Sequence, residues 1–341
     1  MIKKKKFFIF VFQHRFRKIA FNNFLKIKKI KDYKVLDLSG PYKYFFFSRL
    51  LIFLITTFSK IFRNFTLISC DGRPFIKKRA VNIWFGGTNL KIPKHFQLYN
   101  NNIAMIKSSI DNQKNFVSLY PYDLKKNTFN KNFKVVFIGR LSLSNLAEVK
   151  SIWNKYNKEI MNNFLIIENK KFFHTVGIEG IEEMKNIYLG LKSEIRLNII
   201  KKLSKEFKDD LIVVGNDWRD HVKNSIKDNH DIKFVRNLYK GNLCIDFGSK
   251  WGNNSLYPRS IEIIESSGVL LQCQQPDTKD IFGDTAKFTS FNSYQNLLDL
   301  ILMYKKDHKH LDFNYKKICS LFNNNEMNYK TLTKIIKISN Q

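Results

Sequence analysis

Residues 249–273 read SKWGNNSLYPRSIEIIESSGVLLQC, and this stretch decides the fold. A polar loop carrying Gly252, Asn253 and Asn254 runs through Pro258 into a short amphipathic segment from Arg259 to Ser267. Gly268 ends that segment as a predicted C-cap, and VLLQC follows as an apolar run of strand length. Loop, helix, glycine and buried strand in that order form one step of a βαβ chain, the unit of parallel α/β architecture. The helix start offers free N–H groups and the positive end of a dipole, which suit a diphosphate. Arg259 would add a guanidinium there. Glu262, one turn on, could accept hydrogen bonds from a ribose diol, as acidic residues do in dinucleotide folds. The same residues also describe a helix with a favourable acidic first turn and nothing more.

Working outward, the second half repeats the step. FKVVFIG (133–139) is a strand running into Gly139-Arg140, DLIVVG (210–215) is a strand ending in glycine, and LCIDFG (243–248) is another. IKFV (232–235) and residues 286–288 read as short strands. Helices are expected at about 145–161, 190–208 and 293–305, with an amphipathic helical tail over 311–338. Gly139 would let a ligand approach the backbone, and Arg140 could fork onto a phosphate. Gly139-Arg140 is not part of a GxGxxG motif, since the chain continues LSLSNLAE.

The first half shows the same alternation. Strands are expected at 34–39, 65–70, 81–85, 103–107 and 116–120, and an apolar helix at 44–62. The polar segment 121–132 (PYDLKKNTFNKN) reads as a linker. Two α/β halves on one linker leave a cleft, and ligands of open parallel sheets bind at the carboxyl ends of the strands.

Composition narrows the function classes. The chain has 341 residues, 44% hydrophobic and 15% aromatic, enough for two cored domains and too aromatic for disorder. Lys and Arg number 59 against 29 Asp and Glu, a net charge of +30, which favours an anionic partner. The charge is spread along the chain, and no zinc-finger, homeodomain, RRM or KH pattern accompanies it, so no specific nucleic-acid partner is expected. Cys70, Cys244, Cys273 and Cys319 form no CxxC pair and suggest neither a metal site nor a disulfide framework. The apolar run Phe7–Phe12 is too short for a secretory segment. The stretch 44–58 contains Arg49 and is shorter than a spanning helix; it reads as a buried helix or as one dipping into a membrane interface. A cytoplasmic protein is expected, with room for contact at the inner membrane face.

The run RSIEIIESSGVLL (259–271), followed by QQPDTKDIFGD (274–284), resembles the C-terminal domain of group 1 glycosyltransferases. It is most similar to the branch that includes the CgeB-type spore-protein domain. KVVFIGRL (134–141) resembles the opening strand of that domain, LIVVGNDW (211–218) its second strand, and TAKFTSFNSYQNLLDLILMYKKD (285–307) its closing segment. The resemblance covers about 134–307. It implies an α/β fold of two Rossmann-like doubly wound domains facing a cleft, the GT-B architecture. Residues 1–125 would be the acceptor-side domain, 133–310 the nucleotide-sugar-binding domain and 311–341 a helical tail.

The resemblance also implies an enzyme that moves a sugar from a nucleotide diphosphate to a hydroxyl of a cell-surface glycan or lipid-linked acceptor, with no metal and no cofactor beyond the donor co-substrate. Glu262 matches the family glutamate that binds the donor ribose, and Arg259 and Arg140 match positions facing the diphosphate. Asn254 stands where many relatives carry a second glutamate, and the usual Lys after the Gly-Arg strand is absent. For an acceptor base, His95 is the first candidate, after Gly86-Gly87-Thr88-Asn89; Asp71, Asp123 and His174 are others by position. The alternative class is a non-catalytic, basic membrane- or nucleic-acid-binding protein on a degenerate GT-B scaffold.

Overall fold

The computed structural model describes residues 132–227, 231–248, 256 and 258–322, with Leu54, Pro121, Leu124, Phe129 and the backbone of six strands nearer the N-terminus. The chain divides into two units, one made of residues 1–123 with 324–341 and the other of residues 124–323.

The first unit holds β1 (Phe7–Phe12), β2 (Tyr33–Asp37), β3 (Phe65–Cys70), β4 (Val81–Trp84), β5 (Gln97–Asn100) and β6 (Phe116–Val117). They form one parallel sheet in the order β2-β1-β3-β4-β5-β6. The expected strands near 34, 65, 81 and 116 are present. The run FFIFVF, considered above only as a targeting segment, is a strand lying between β2 and β3. Six consecutive apolar residues without alternation are a sequence pattern of parallel strands. Gln97–Asn100 was not anticipated, because QLYN is half polar. The helix expected at 44–62 lies outside the described residues except for Leu54, which is helical and exposed. The strand expected at 103–107 and most of the linker 121–132 lie outside them too.

The second unit is described almost throughout. It runs β7 (Val135–Ile138), α1 (Ala147–Asn162), a 3-10 turn (Phe164–Glu168), α2 (Lys170–Thr175), α3 (Ile181–Phe207) and β8 (Leu211–Val214). Then come α4 (Ile232–Tyr239), β9 (Leu243–Asp246), α5 (Pro258–Glu265), β10 (Val269–Cys273), α6 (Thr278–Phe282), α7 (Ala286–Thr289), β11 (Ser290–Phe291), α8 (Tyr294–Lys306) and α9 (Lys309–Phe322). The sheet is parallel in the order β11-β10-β9-β7-β8. β7, β9 and β10 are buried along their whole length, as strands covered by helices on both faces must be.

Two expected strands are helices. Residues 232–235 open α4: the Asp231 side chain accepts from Lys233 N at 2.9 Å, an N-cap that commits IKFVRNLY to helix. Residues 286–288 fall in α7, and the strand of that segment is the two-residue β11. The long helix α3 starts nine residues before its expected first turn. Gly268 does follow α5, but Ser267 takes the left-handed conformation there, with φ 62°. The glycine is required for space: a Cβ on it would lie 2.9 Å from the Tyr239 carbonyl oxygen and 3.0 Å from Cys244 Sγ. The predicted tail helix is α9, packed against α5 and β10, while 323–341 lie outside the described residues. Among the described residues, no helix is long and apolar enough to cross a membrane.

This topology positions a site. The chain leaves β7, crosses to β8 on one side, then returns past β7 to place β9 on the other. The winding direction therefore reverses between β7 and β9. At such a switch point the loops after the two strands part and leave a crevice outside their carboxyl ends.

Candidate functional site

Gly139 follows β7 at that reversal. Its N–H donates to Val214 O at 2.8 Å, and its carbonyl accepts from Trp218 Nε1 at 2.6 Å. Trp218 is fully buried and packs edge-on against Phe137. Gly215, φ 151°, closes the loop after β8 so tightly that a Cβ there would stand 2.2 Å from Gly139 O. These contacts hold Gly139 rigidly. A Cβ on Gly139 itself would lie 3.2 Å from Arg259 Nη1 and 2.9 Å from Phe137 Cζ. The first turn of α5 thus carries Arg259 to the carboxyl end of β7, so two residues 120 positions apart in the expected site meet.

A second guanidinium arrives from the opposite face. Arg196, in the middle of α3, is 5% exposed; its Nη1 donates to the Arg140 carbonyl at 3.1 Å, and its guanidinium carbon lies 5.6 Å from the Phe247 ring. The two arginines bracket the carboxyl ends of β7 and β9. The Arg140 side chain does not join them: it is exposed, and its Nε pairs with Asp217 at 3.3 Å.

Beneath α5 sits Asp246, the last residue of β9 and fully buried. Its Oδ2 accepts from Ser260 Oγ at 2.6 Å, and its Oδ1 accepts from Gly248 N at 3.0 Å. One carboxylate therefore fixes the loop leaving β9 and the first turn of α5, which carries Arg259. A buried anion near a helix N-terminus is favourable in itself.

Glu262 lies one turn below Arg259. Burial raises its carboxyl above the usual range, and the charges of Arg259 and Arg236 pull it partly back. Its Oε1 is shut off from solvent and has no hydrogen-bond partner among the described residues; the same holds for Arg236 Nε and Tyr239 Oη. Burial raises the Tyr239 hydroxyl well above its ordinary value; the charge of Arg259 lowers it and that of Glu262 raises it, so both charges are felt at this hydroxyl. A buried polar atom without a partner costs roughly 1–3 kcal/mol, so these three atoms weaken the packing between α4 and α5.

Asn254, His95, Asp71 and Asp123 lie outside the described residues. His174 stands in the last turn of α2 and is exposed, rather than on a loop. Buried Cys244 and Cys273 are free thiols whose burial pushes them up, Cys273 to about 12, which makes both poor nucleophiles. Among the described residues, no group of three or more His, Cys, Asp or Glu side chains is arranged to hold a metal ion.

Arg196 and Asp246 were not singled out in the sequence. The available signals were positional. Arg196 shares the apolar face of α3 with Ile199 and Ile200, and Asp246 closes an otherwise apolar strand, where charge is rare without a task.

No family model and no curated protein matches the sequence. Among solved structures the chain is similar to the crystal structure of TarM, with TM-score 0.46 and 9% identity, over 86% of this chain and 58% of that one. The chain thus spans 58% of TarM's length. It is also similar to T4 phage BGT in complex with its UDP-glucose substrate, with TM-score 0.47 and 9% identity, over 98% of each chain. Similarity at this level assigns neither a family nor an activity.

Proposed function

We propose that the second unit binds the nucleotide diphosphate of an activated sugar at the carboxyl edge of its sheet, and that the protein transfers the sugar to a hydroxyl acceptor. The observation that carries this reading is the meeting of Arg259 with Gly139 at the topological reversal, with Arg196 arriving from the other face. A glycine that admits a close approach, two guanidiniums and a helix N-terminus together suit a diphosphate. In this reading Glu262, one turn below, is the residue assigned to the ribose hydroxyls.

In the transfer step, the bond from the anomeric carbon to the diphosphate breaks and the diphosphate leaves with the electron pair. The acceptor oxygen forms the new bond, and its proton passes to a base. Arg259 and Arg196 are placed to stabilise the charge that grows on the leaving group, which is the largest lever such a site has. Arg140 extends the positive surface outward from the same strand end. The acceptor side falls to the first unit in this reading, with His95 as the first candidate base and the GT-B cleft as the expected architecture. The net charge of +30 fits an acceptor carried on an anionic membrane surface, a glycan or its lipid carrier.

Thermal shift of the whole chain with UDP, GDP and their sugars tests the reading. At about a hundredfold over Kd, binding adds roughly 2.7 kcal/mol to folded-state stability. Arg259→Ala should abolish the shift, and Arg140→Ala should reduce it less. A wild-type protein whose melting is unmoved by every nucleotide, but whose retention on anionic vesicles falls steeply with salt, would replace the enzyme with a basic surface binder.

A further inference from the structure

On the α3 side of the same sheet edge lies a small notch that the diphosphate reading does not use. It is lined by Phe164 and Glu168 of the 3-10 turn, Lys192 and Arg196 of α3, Phe247 after β9, and Gln274 after β10. Its chemistry is unusual for a core. Lys192 and Glu168 form an ion pair at 3.2 Å with side chains only 9% and 10% exposed. Glu168 Oε1 also accepts from Tyr188 Oη at 2.6 Å. Lys192 Nζ donates to Gln275 Oε1 at 3.4 Å and lies 4.7 Å from the Tyr188 ring centroid. Both bonds to Glu168 therefore fall on Oε1, and Oε2 takes none from a described residue, although the carboxylate is nine-tenths buried and borders the notch. Gln274 holds its backbone N–H against Phe291 O at 2.7 Å, while its side chain makes no hydrogen bond among the described residues. The space admits about one water-sized group, too little for a ring and enough for a hydroxyl or hydroxymethyl.

We infer that this notch reads the transferred sugar: Glu168 Oε2 and Gln274 accept and donate hydrogen bonds at one edge of its ring, making Glu168 the specificity-determining residue. This inference rests on the donor reading above, because Arg196 lines the notch and also borders the arginine-bracketed strand ends. Taking a Lys–Glu pair out of water is costly, and replacing such a pair with apolar side chains is often neutral or better for stability. A pair kept beside a void at the carboxyl edge, with one oxygen unspent, is better suited to a polyhydroxylated ligand than to holding the core. A charged acceptor facing a hydroxyl also discriminates sharply, because the wrong sugar leaves it buried and unpaired.

The test is a ratio. Calorimetric affinities of the full chain are measured for UDP and GDP, and for UDP-glucose, UDP-N-acetylglucosamine and GDP-mannose. Wild type should bind one sugar-bearing form more tightly than its parent diphosphate. Glu168→Gln should lower that preference by about tenfold, the worth of one hydrogen bond to a charged group, while leaving the parent diphosphate within about twofold. Gln274→Ala, outside the ion pair, should erode the preference too and covers the case in which Glu168→Gln fails to fold. An unchanged ratio in both folded variants, or in Gln274→Ala alone, overturns the sugar notch and leaves the diphosphate site standing. A wild type that binds every sugar form no better than its diphosphate overturns it as well. A wild type that binds no nucleotide removes the donor reading and the notch with it.

Discussion

Ser260→Ala tests whether a single buried carboxylate positions the arginine at the strand end. Ser260 Oγ donates to Asp246 Oδ2 at 2.6 Å, and both residues have no exposed surface. Removing the hydroxyl leaves a charged oxygen without its donor in a place water does not reach. Hydrogen bonds to charged groups contribute about 1.5–3 kcal/mol, so a loss of about 2–3 kcal/mol is expected. Asp246→Asn should cost less, about 1 kcal/mol, because the amide nitrogen can donate to a turned Ser260 hydroxyl while its oxygen still accepts from Gly248 N. Asp246→Ala strands both donors and opens a void, for a loss of roughly 3–5 kcal/mol. Urea denaturation of the full chain, followed by circular dichroism and tryptophan fluorescence, reads these differences, and the double variant Ser260→Ala with Asp246→Asn isolates the coupling. Ser260 is also the third residue of α5, so its loss should loosen Arg259 and weaken UDP binding at temperatures where the variant is folded. A Ser260→Ala protein within about 0.5 kcal/mol of wild type, with UDP binding intact, would refute the idea that Asp246 organises this edge.

Glu262→Gln should stabilise the unliganded protein while weakening donor binding. Burial holds the folded carboxyl above its ordinary value of 4.5, so its contribution is fully present below that value and is lost as pH rises through the folded one. The advantage of the Gln variant in Tm should therefore be absent under acid and grow toward neutrality; a difference that does not change with pH would exclude the burial of charge as its cause. Gly215→Ala should unfold the second unit or leave it barely stable, because the new Cβ meets a backbone oxygen at 2.2 Å where φ is already 151°. Gly139→Ala meets the tip of Phe137 at 2.9 Å and the end of the Arg259 side chain at 3.2 Å, with no backbone in the way, so it should cost about 1–3 kcal/mol and act chiefly on UDP affinity. Equal destabilisation of the two, measured by thermal melts, would contradict the packing described around Gly139.

Those glycines also show what the sequence could convey. Strands such as VVFI and LCID are legible because both faces of a parallel sheet are covered, and an uninterrupted apolar run has few other uses. Helix α5 is legible from its ends, a Pro at its first position and a glycine and strand after it. IKFV failed as a strand because four apolar and basic residues carry no period of their own. The decision came from the Asp231 cap upstream and from Tyr239 downstream, which buries itself against Gly268. FFIFVF was passed over for the opposite reason: its place beside a basic terminus raised only the question of a secretory segment, for which it is too short, although its composition fits a strand. The site divides in the same way. Arg259 and Gly139 stand at element ends, where position in a βαβ chain announces a role. Arg196, Lys192 and Glu168 stand inside helices or a 3-10 turn, and only the packing of α3 over the carboxyl edge brings them there. His95 and Asn254 lie outside the described residues, and the acceptor side rests on sequence.

The net charge of +30 is the loudest feature of the composition, yet it does not select the ligand. Exposed lysines at Debye-length separations act on any anion and are weakened by salt. Arg140 behaves in that way, sharing its guanidinium with Asp217 in solvent. Arg196 and Arg259 differ because their positions are built. One is buried and tied to the Arg140 carbonyl; the other is brought over Gly139 by a helix whose first turn is fixed through Ser260 to Asp246. Asp246 already places one negative charge under that turn, so the dipole of α5 is partly spent before any ligand arrives. The arginines must then supply most of the attraction for a diphosphate. Salt should weaken nucleotide binding through Arg140 more than through Arg259, since Arg140 is exposed and Arg259 is half-buried.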